Sequence, residues 1–381
     1  MTPDHLPGKR EQVATRIVFF IVGLVMASWA PLVPLVKARL GLDERALGTL
    51  LLCAGLGSLC VMPFSGGFAG RFGCRKTILV GGTAGLVALP IMATCQSLPI
   101  LALGLVLFGA SISLVDVTMN IQAVLVERES RKAMMSGFHG LFSVGGIAGA
   151  GAVTGLLAMG VSPLIAAVAS VLASFALMAV FVGGLLPYGG ERDAPAFALP
   201  KGQVLLIGIL CCCSFLAEGS VLDWSGVLLN LNRGVASGAS GLGYVAFSAT
   251  MTFGRLTGDA VVSRLGPRRV LIFGGLVAAL GFGIAALVPN WLAAIAGFAL
   301  VGVGAANLVP VLFSAAGRQK SMPANMAIAA ATTVAYAGMI AGPALIGFVA
   351  HATSLPTAFL VVAGLLVLVA FSGGFAGREG N

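Results

Sequence analysis

The sequence predicts an all-α integral membrane protein. Twelve transmembrane helices are expected as two parallel six-helix bundles, with both termini in the cytoplasm. Three observations carry that expectation. Of 381 residues, 58% are hydrophobic and only 9% charged, and the mean hydropathy is +1.04. A soluble domain carries about 25% charged residues, so this chain has too few charges to cover a surface that faces water. Apolar runs near the roughly 20 residues that a span needs recur along the chain. The two halves of the chain also repeat one another.

The runs fall at 14–36, 46–69, 77–95, 98–125, 134–159, 162–187, 202–230, 241–262, 269–288, 291–315, 323–349 and 354–375. Short loops join them. The longest connection, YGGERDAPAFALPK at 188–201, reads as a cytoplasmic linker between an N-terminal bundle (1–187) and a C-terminal bundle (202–381). The first run is too long for a signal peptide and lacks a small-residue cleavage site, so it is read as an uncleaved first span. Gly supplies 54 residues, roughly twice the usual share of about 7%. In lipid, small residues let helices approach closely, and GGIAGAG at Gly145–Gly151 holds a G-x-x-x-G pair of that kind.

A net charge of +9 admits a nucleic-acid reading, but the positions of the charges favour topology. With a cytoplasmic N-terminus, the tails and even-numbered loops hold 17 of the 22 Lys and Arg residues. The opposite loops hold 4 (Lys37, Arg39, Arg45 and Arg233), and Arg255 lies inside a span. This is the positive-inside bias. The seven Cys suit neither a disulfide framework nor a zinc site and read as small apolar fillers.

The repeat is explicit in the loops after spans two and eight. RFGCRKTILVGG (Arg71–Gly82) aligns with RLGPRRVLIFGG (Arg264–Gly275) at an offset of 193. Arg71, Gly73, Arg75 and Lys76 thus match Arg264, Gly266, Arg268 and Arg269. Upstream, Trp29 matches Trp224, and Leu47–Gly48 matches Leu242–Gly243, at an offset of 195. A cation at a helix C-terminus meets the negative end of the macrodipole, and each Gly permits a tight turn. Two copies at matched positions point to a paired gating element, beyond a hairpin that only sets topology.

On these residues the chain resembles the major facilitator superfamily, whose loop signature runs G-x-L-x-D-R-x-G-R-R/K. The copies here are GGFAGRFGCRK (Gly66–Lys76) and DAVVSRLGPRR (Asp259–Arg269). The signature Asp, which in the family helps latch the cytoplasmic side, is replaced by Gly70 and Ser263. Asp259 lies one turn away and is a substitute in the second half. VDVTMNIQAVLVERE, GFHGLFSVGG, AEGSVLDWSG and FGRLTGD are similar to a branch of small bacterial inner-membrane permeases, distantly related to fucose and other sugar permeases. GPALIGF in span eleven resembles their Gly-Pro helix. The antiporter proline is missing from GGIAGAGAVTGLL in span five.

Charge inside a span costs at least about 2.5–3.5 kcal/mol, and such residues face a cavity or a partner. In this fold class the substrate site lies near the midplane. Glu218, near the middle of span seven, suits proton uptake and release; the alternative is a neutral packing glutamate. Asp223 follows five residues later, about 140° around a straight helix. A helix break at Gly219–Ser220 is needed for both carboxylates to face one cavity. Asp116 and Asn120 share a face of span four, for solute or proton contact or for an interhelical hydrogen bond. Arg255 and Asp259, at i and i+4 in span eight, read as a self-satisfied pair. His139 is a proton relay or a structural His. Trp29 and Trp224 either stack on a solute or lie in an interfacial belt. Asn307 and Tyr336 complete the candidates.

No phosphate loop, H-E-x-x-H or G-x-S-x-G motif is present, so neither an enzyme nor a cofactor is expected. The expected partners are a small-molecule solute, protons and the lipid bilayer, with the chain a monomer in a bacterial inner membrane. Proton-coupled movement of a small polar, sugar-like solute by alternating access is the first reading. Proton-driven efflux of cationic or amphipathic compounds stands beside it, and a non-transporting solute sensor is the third.

Overall fold

The computed structural model describes residues 8–42, 44–191, 197, 199–235 and 240–376, and the side chains at 44, 45, 47, 48, 343 and 373–376 lie outside that description. So do Arg192 and Arg378 of the charge count, the side chains of Arg45 and of the Leu47–Gly48 pair, and linker residues 192–196 and 198. All regular structure among the described residues is helical. The α-helices are α1 (Lys9–Trp29), α2 (Val33–Leu40), α3 (Glu44–Phe72), α4 (Cys74–Thr94), α5 (Leu98–Ser130), α6 (Met135–Ala158), α7 (Pro163–Phe181), α8 (Gly202–Val227), α9 (Leu242–Leu265), α10 (Pro267–Leu287), α11 (Trp291–Ala305), α12 (Leu308–Arg318), α13 (Ala324–Ala352) and α14 (Leu355–Ala376).

Several boundaries differ from the hydropathy reading, each for a local reason. The first span runs on to Leu40. A 3₁₀ turn at Ala30–Leu32, carrying Pro31, tightens the chain between α1 and α2 without ending it. The tenth span is broken: α11 stops at Ala305 and α12 starts at Leu308, so Asn307 sits at the break and not within a continuous helix. Eleven helical stretches among the described residues are long and apolar enough to cross a membrane. The predicted eighth span, α9, forms a helix but is not one of them. Its apolar run is interrupted by Arg255 and Asp259, and Arg264 ends it.

Helix starts follow familiar chemistry. Pro163 and Pro267 occupy first-turn positions, where the missing N–H has no intrahelical partner to lose. The Asn290 side chain caps α11, its Oδ1 accepting from the N–H groups of Leu292 and Ala293 at 2.8 and 3.1 Å.

The chain divides into two compact units. Unit 1 comprises Met1–Arg131, Leu141–Ala198 and Pro323–Ala329; unit 2 comprises Lys132–Gly140, Leu199–Met322 and Ala330–Asn381. In unit 1, α3 and α4 lie against α5, and α1 lies against α7. Glycines set the close approaches. Gly57 faces the Val106 carbonyl and Gly109 the Ala54 carbonyl, across the α3–α5 crossing. Gly145 and Gly149 of the G-x-x-x-G pair face the carbonyls of Phe20 and Leu24 on α1, leaving no room for a Cβ. In unit 2, α10 lies against α11 and α14, and α9 against α11.

Two of the four basic residues on the predicted outer side have structural work. Arg39 donates to the carbonyls of Met92, Ala93 and Cys95 at the end of α4. Arg233 donates from Nη2 to the carbonyls of Ala285 and Ala286, both at 2.8 Å, at the end of α10. These two arginines match at an offset of 194, and each satisfies orphan carbonyls where the helix dipole is negative. Burial moves the Arg233 guanidinium below its ordinary value.

Candidate functional site

In unit 2, polar chemistry gathers where α8, α9 and the first turns of α6 meet. The helix break expected at Gly219–Ser220 does not occur. α8 is continuous from Gly202 to Val227, Ser220 Oγ donates to the Leu216 carbonyl at 2.6 Å, and the helix widens only at a π turn, Leu228–Asn232. An unbroken helix keeps Glu218 and Asp223 about 140° apart. Asp223 is accordingly exposed, while Glu218 is turned towards α9.

There, Arg255 Nη2 donates to both Glu218 oxygens, at 3.2 Å to Oε1 and 3.1 Å to Oε2. The two side chains are 10% (Arg255) and 18% (Glu218) exposed. Arg255 and Asp259 thus each have a partner beyond α9. Arg255 reaches α8, and Asp259 reaches α6, its Oδ1 accepting from the Gly137 N–H at 3.1 Å. The physical reason is desolvation. A Glu218 largely withdrawn from solvent would be destabilising without a counter-charge, and Arg255 offsets it.

Other candidates lie on the same elements. Gly258 on α9 is pressed against Ser136 and the side chain of Asn307. Asn307 Nδ2 donates to the Gly254 carbonyl at 3.2 Å, and its Oδ1 is buried without a hydrogen-bond partner among the described residues. His139, about one turn into α6, lies 6.0 Å from the Phe313 ring of α12. Tyr336 on α13 meets Phe215 edge-on at 5.6 Å. Trp224 lies over Gly347, and its buried indole N–H has no acceptor among the described residues.

In unit 1, Asn120 is fully buried and satisfies one donor within its own helix, Nδ2 donating to the Asp116 carbonyl at 2.9 Å. Its Oδ1 is left without a partner among the described residues. Trp29 ends α1, and its indole N–H, like that of Trp224, has no acceptor among the described residues. The repeated Trp pair thus shares the same unmet donor in each unit.

The loop repeat is conformational as well as sequential. Gly73 has φ +84° and ψ 157°, and Gly266 has φ +80° and ψ 155°. Their surroundings differ. Gly73 lies against the Pro187 carbonyl, whereas Gly266 has open space. Arg75 is docked on the chain following α7, donating to the carbonyls of Leu185 (2.9 Å) and Gly183 (3.0 Å). Arg71 stacks over Phe72, and Lys76, Arg264, Arg268 and Arg269 are exposed.

The missing signature Asp has a steric explanation in unit 1. A Cβ at Gly70 would lie 2.5 Å from the Glu191 carbonyl oxygen and 2.8 Å from Asn325 Nδ2, so no acid fits. Asn325, at the start of α13, donates instead to the Gly66 carbonyl at 2.9 Å. Gly66 matches Asp259 at the offset of 193. Asn325 was not among the sequence candidates. Its signal, a lone amide at the head of an apolar run, is indistinguishable from an ordinary loop edge.

The profile of the Major Facilitator Superfamily matches residues 17–234 and again 207–377. An uncharacterized MFS-type transporter of Yersinia pestis is 51% identical over 367 residues, covering 96% of each chain. Among solved structures, the transporter FucP in its outward conformation shares the fold with a TM-score of 0.82 at 16% identity, over 96% of this chain and 98% of that one. The proton:xylose symporter XylE does so with a TM-score of 0.72 at 12% identity, over 95% and 94%.

Proposed function

The chain belongs to the major facilitator superfamily, and is thus a multi-pass membrane transporter and not an enzyme; on that premise we propose that it moves a small polar, sugar-like solute across the bacterial inner membrane in symport with protons. In this reading it works as a monomer, by alternating access of two six-helix bundles, 1–187 and 202–381, joined by the 188–201 linker, with both termini cytoplasmic.

The observation that carries the reading is the part-buried Glu218–Arg255 pair. Protonating Glu218 removes the carboxylate charge facing Arg255. The guanidinium, which always keeps its own charge, then turns its donors to the oxygens of a polar solute. Proton loss restores the pair and releases the solute. Such an exchange couples proton to solute with no third component. The solute contacts belong to Asp116, Asn120 and Trp29 in the first bundle, and to Trp224, Asn307 and Tyr336 in the second, with His139 beside the proton path; Asp223, on the opposite side of the unbroken α8, is left out. Gating falls to the loops Arg71–Lys76 and Arg264–Arg269, with Asp259 on the head of α6 in place of the family acid. The fold neighbour XylE is itself a proton:xylose symporter, which supports the sugar-like class by analogy. An acid already matched by an arginine is a poor trap for cations, which weighs against cation efflux.

The test is flux through reconstituted Glu218→Gln protein, with a solute chosen by thermal shift among sugars, polyols and cationic aromatics. The variant should lose proton-driven accumulation by about 100-fold, the lower end for a proton-transfer group scaled from catalysis, and keep solute counterflow. Full proton-driven accumulation by the variant would remove Glu218 from the mechanism. Stabilisation by cations alone would replace symport with export.

A further inference from the structure

Unit 1 holds a cavity beside the start of α4. α1, α4, α5 and α7 enclose its volume of about 310 Å³, at the lower end of the roughly 300–1,000 Å³ of small-molecule sites. Its floor is Val18, Val22, Ile78 and Val115, all buried. Gly82 and Thr83 of α4, with Phe175 and Ala179 of α7, form its rim, and Thr83 is its one polar lining residue. The rim faces lipid: Val80 and Val180 beside it are 68% and 73% exposed, and a span with such flanks has only acyl chains to cover it.

One end of this cavity is cationic. Val182 lines it, and the next residue, Gly183, is where two guanidinium groups converge. Arg75 Nη2 donates to the Gly183 carbonyl at 3.0 Å, and the Arg10 guanidinium lies directly against the Gly183 Cα. Lys76 is exposed one residue beyond Arg75. One nearby carboxylate, Glu11, accepts from the Gly8 N–H at 2.7 Å. The cations also face the C-terminal end of α7, so they offset its dipole before they meet a ligand.

We propose that this cavity is a binding site for an anionic glycerophospholipid, one acyl chain entering between α4 and α7 and the phosphate resting on Arg10, Arg75 and Lys76. An apolar void gives its lining no partner atoms, so an acyl chain gains contacts there that a polar ligand would not. Basic pockets beside spans are suited to anionic headgroups. Occupied in this way, the site ties α4 to α7.

Native mass spectrometry of the purified full-length transporter tests this, with phosphatidylglycerol and phosphatidylcholine of identical chains in equimolar competition and glycerol phosphate as a headgroup control. The wild type should retain phosphatidylglycerol preferentially, and glycerol phosphate should not displace it. Gly82→Leu places a side chain into the cavity, where an added Cβ meets nothing within 4 Å. It should reduce phosphatidylglycerol retention about tenfold, with unchanged melting. Arg10→Gln, an exposed position that spares the fold, should abolish the preference while leaving phosphatidylcholine retention as it was. Equal retention of the two lipids by the wild type, full retention by Gly82→Leu, or displacement by glycerol phosphate would each overturn the proposal.

Discussion

Alanine at Gly73 or Gly266 would have to hold φ near +80° with ψ near +155°, a region that is essentially glycine-only and costs about 1–3 kcal/mol. The two sites then part. At Gly266 that backbone strain is the whole penalty, because the space around it is open. At Gly73 the added methyl must also displace the Pro187 carbonyl. Gly73→Ala should therefore lower the melting temperature more than Gly266→Ala in detergent. Equal losses would mean that the Pro187 contact contributes nothing. The two glycines are legible in the sequence, since the repeat aligns them. The crowding at Gly70 is not, because Glu191 and Asn325 reach it from distant parts of the chain.

At the scale of elements, matched arginines close matched helices. Arg39 ends α4 and Arg233 ends α10, each from more than 50 residues away in the chain. Hydrogen bonds from a charged group contribute about 1.5–3 kcal/mol. Arg39→Ala and Arg233→Ala should each destabilise the protein by about that amount, read by thermal unfolding, while Arg233→Lys should recover only part, for want of a planar fork. A neutral Arg233→Ala would reduce the cap to an incidental contact. Sequence reading counts these two residues as exceptions to the charge bias. Their acceptors are backbone carbonyls, which carry no residue-type signal. The break at Asn307 is hidden for a related reason: flanking apolar residues keep hydropathy high across it, and contacts with Gly254 and Gly258 on α9 mark the position.

For the whole molecule, the charge bias makes a topological prediction. A phosphatase reporter joined after Glu191 should be inactive in cells, and one inserted at Thr353, in the loop between α13 and α14, should be active. The reverse pattern would invert the proposed orientation and place the basic loops outside. α9 is the element for which hydropathy alone is weakest, since it carries Arg255 and Asp259 at mid-length. It is held by pairing with α8 and α6, and not by apolar burial alone.

Composition, periodic apolar runs and the internal repeat were enough to establish a membrane-embedded, all-helical chain in two repeated halves, and the loop motifs added a resemblance to a transporter family. Those properties are local or translational, and the residues themselves carry them. The partner of each buried polar group was decided elsewhere. Glu218 meets Arg255 across 37 residues, and Asp259 meets Gly137 across 122. Both pairings depend on how helices cross. A charge in an apolar span announces its cost in the sequence, but the group that offsets the cost is chosen by tertiary geometry.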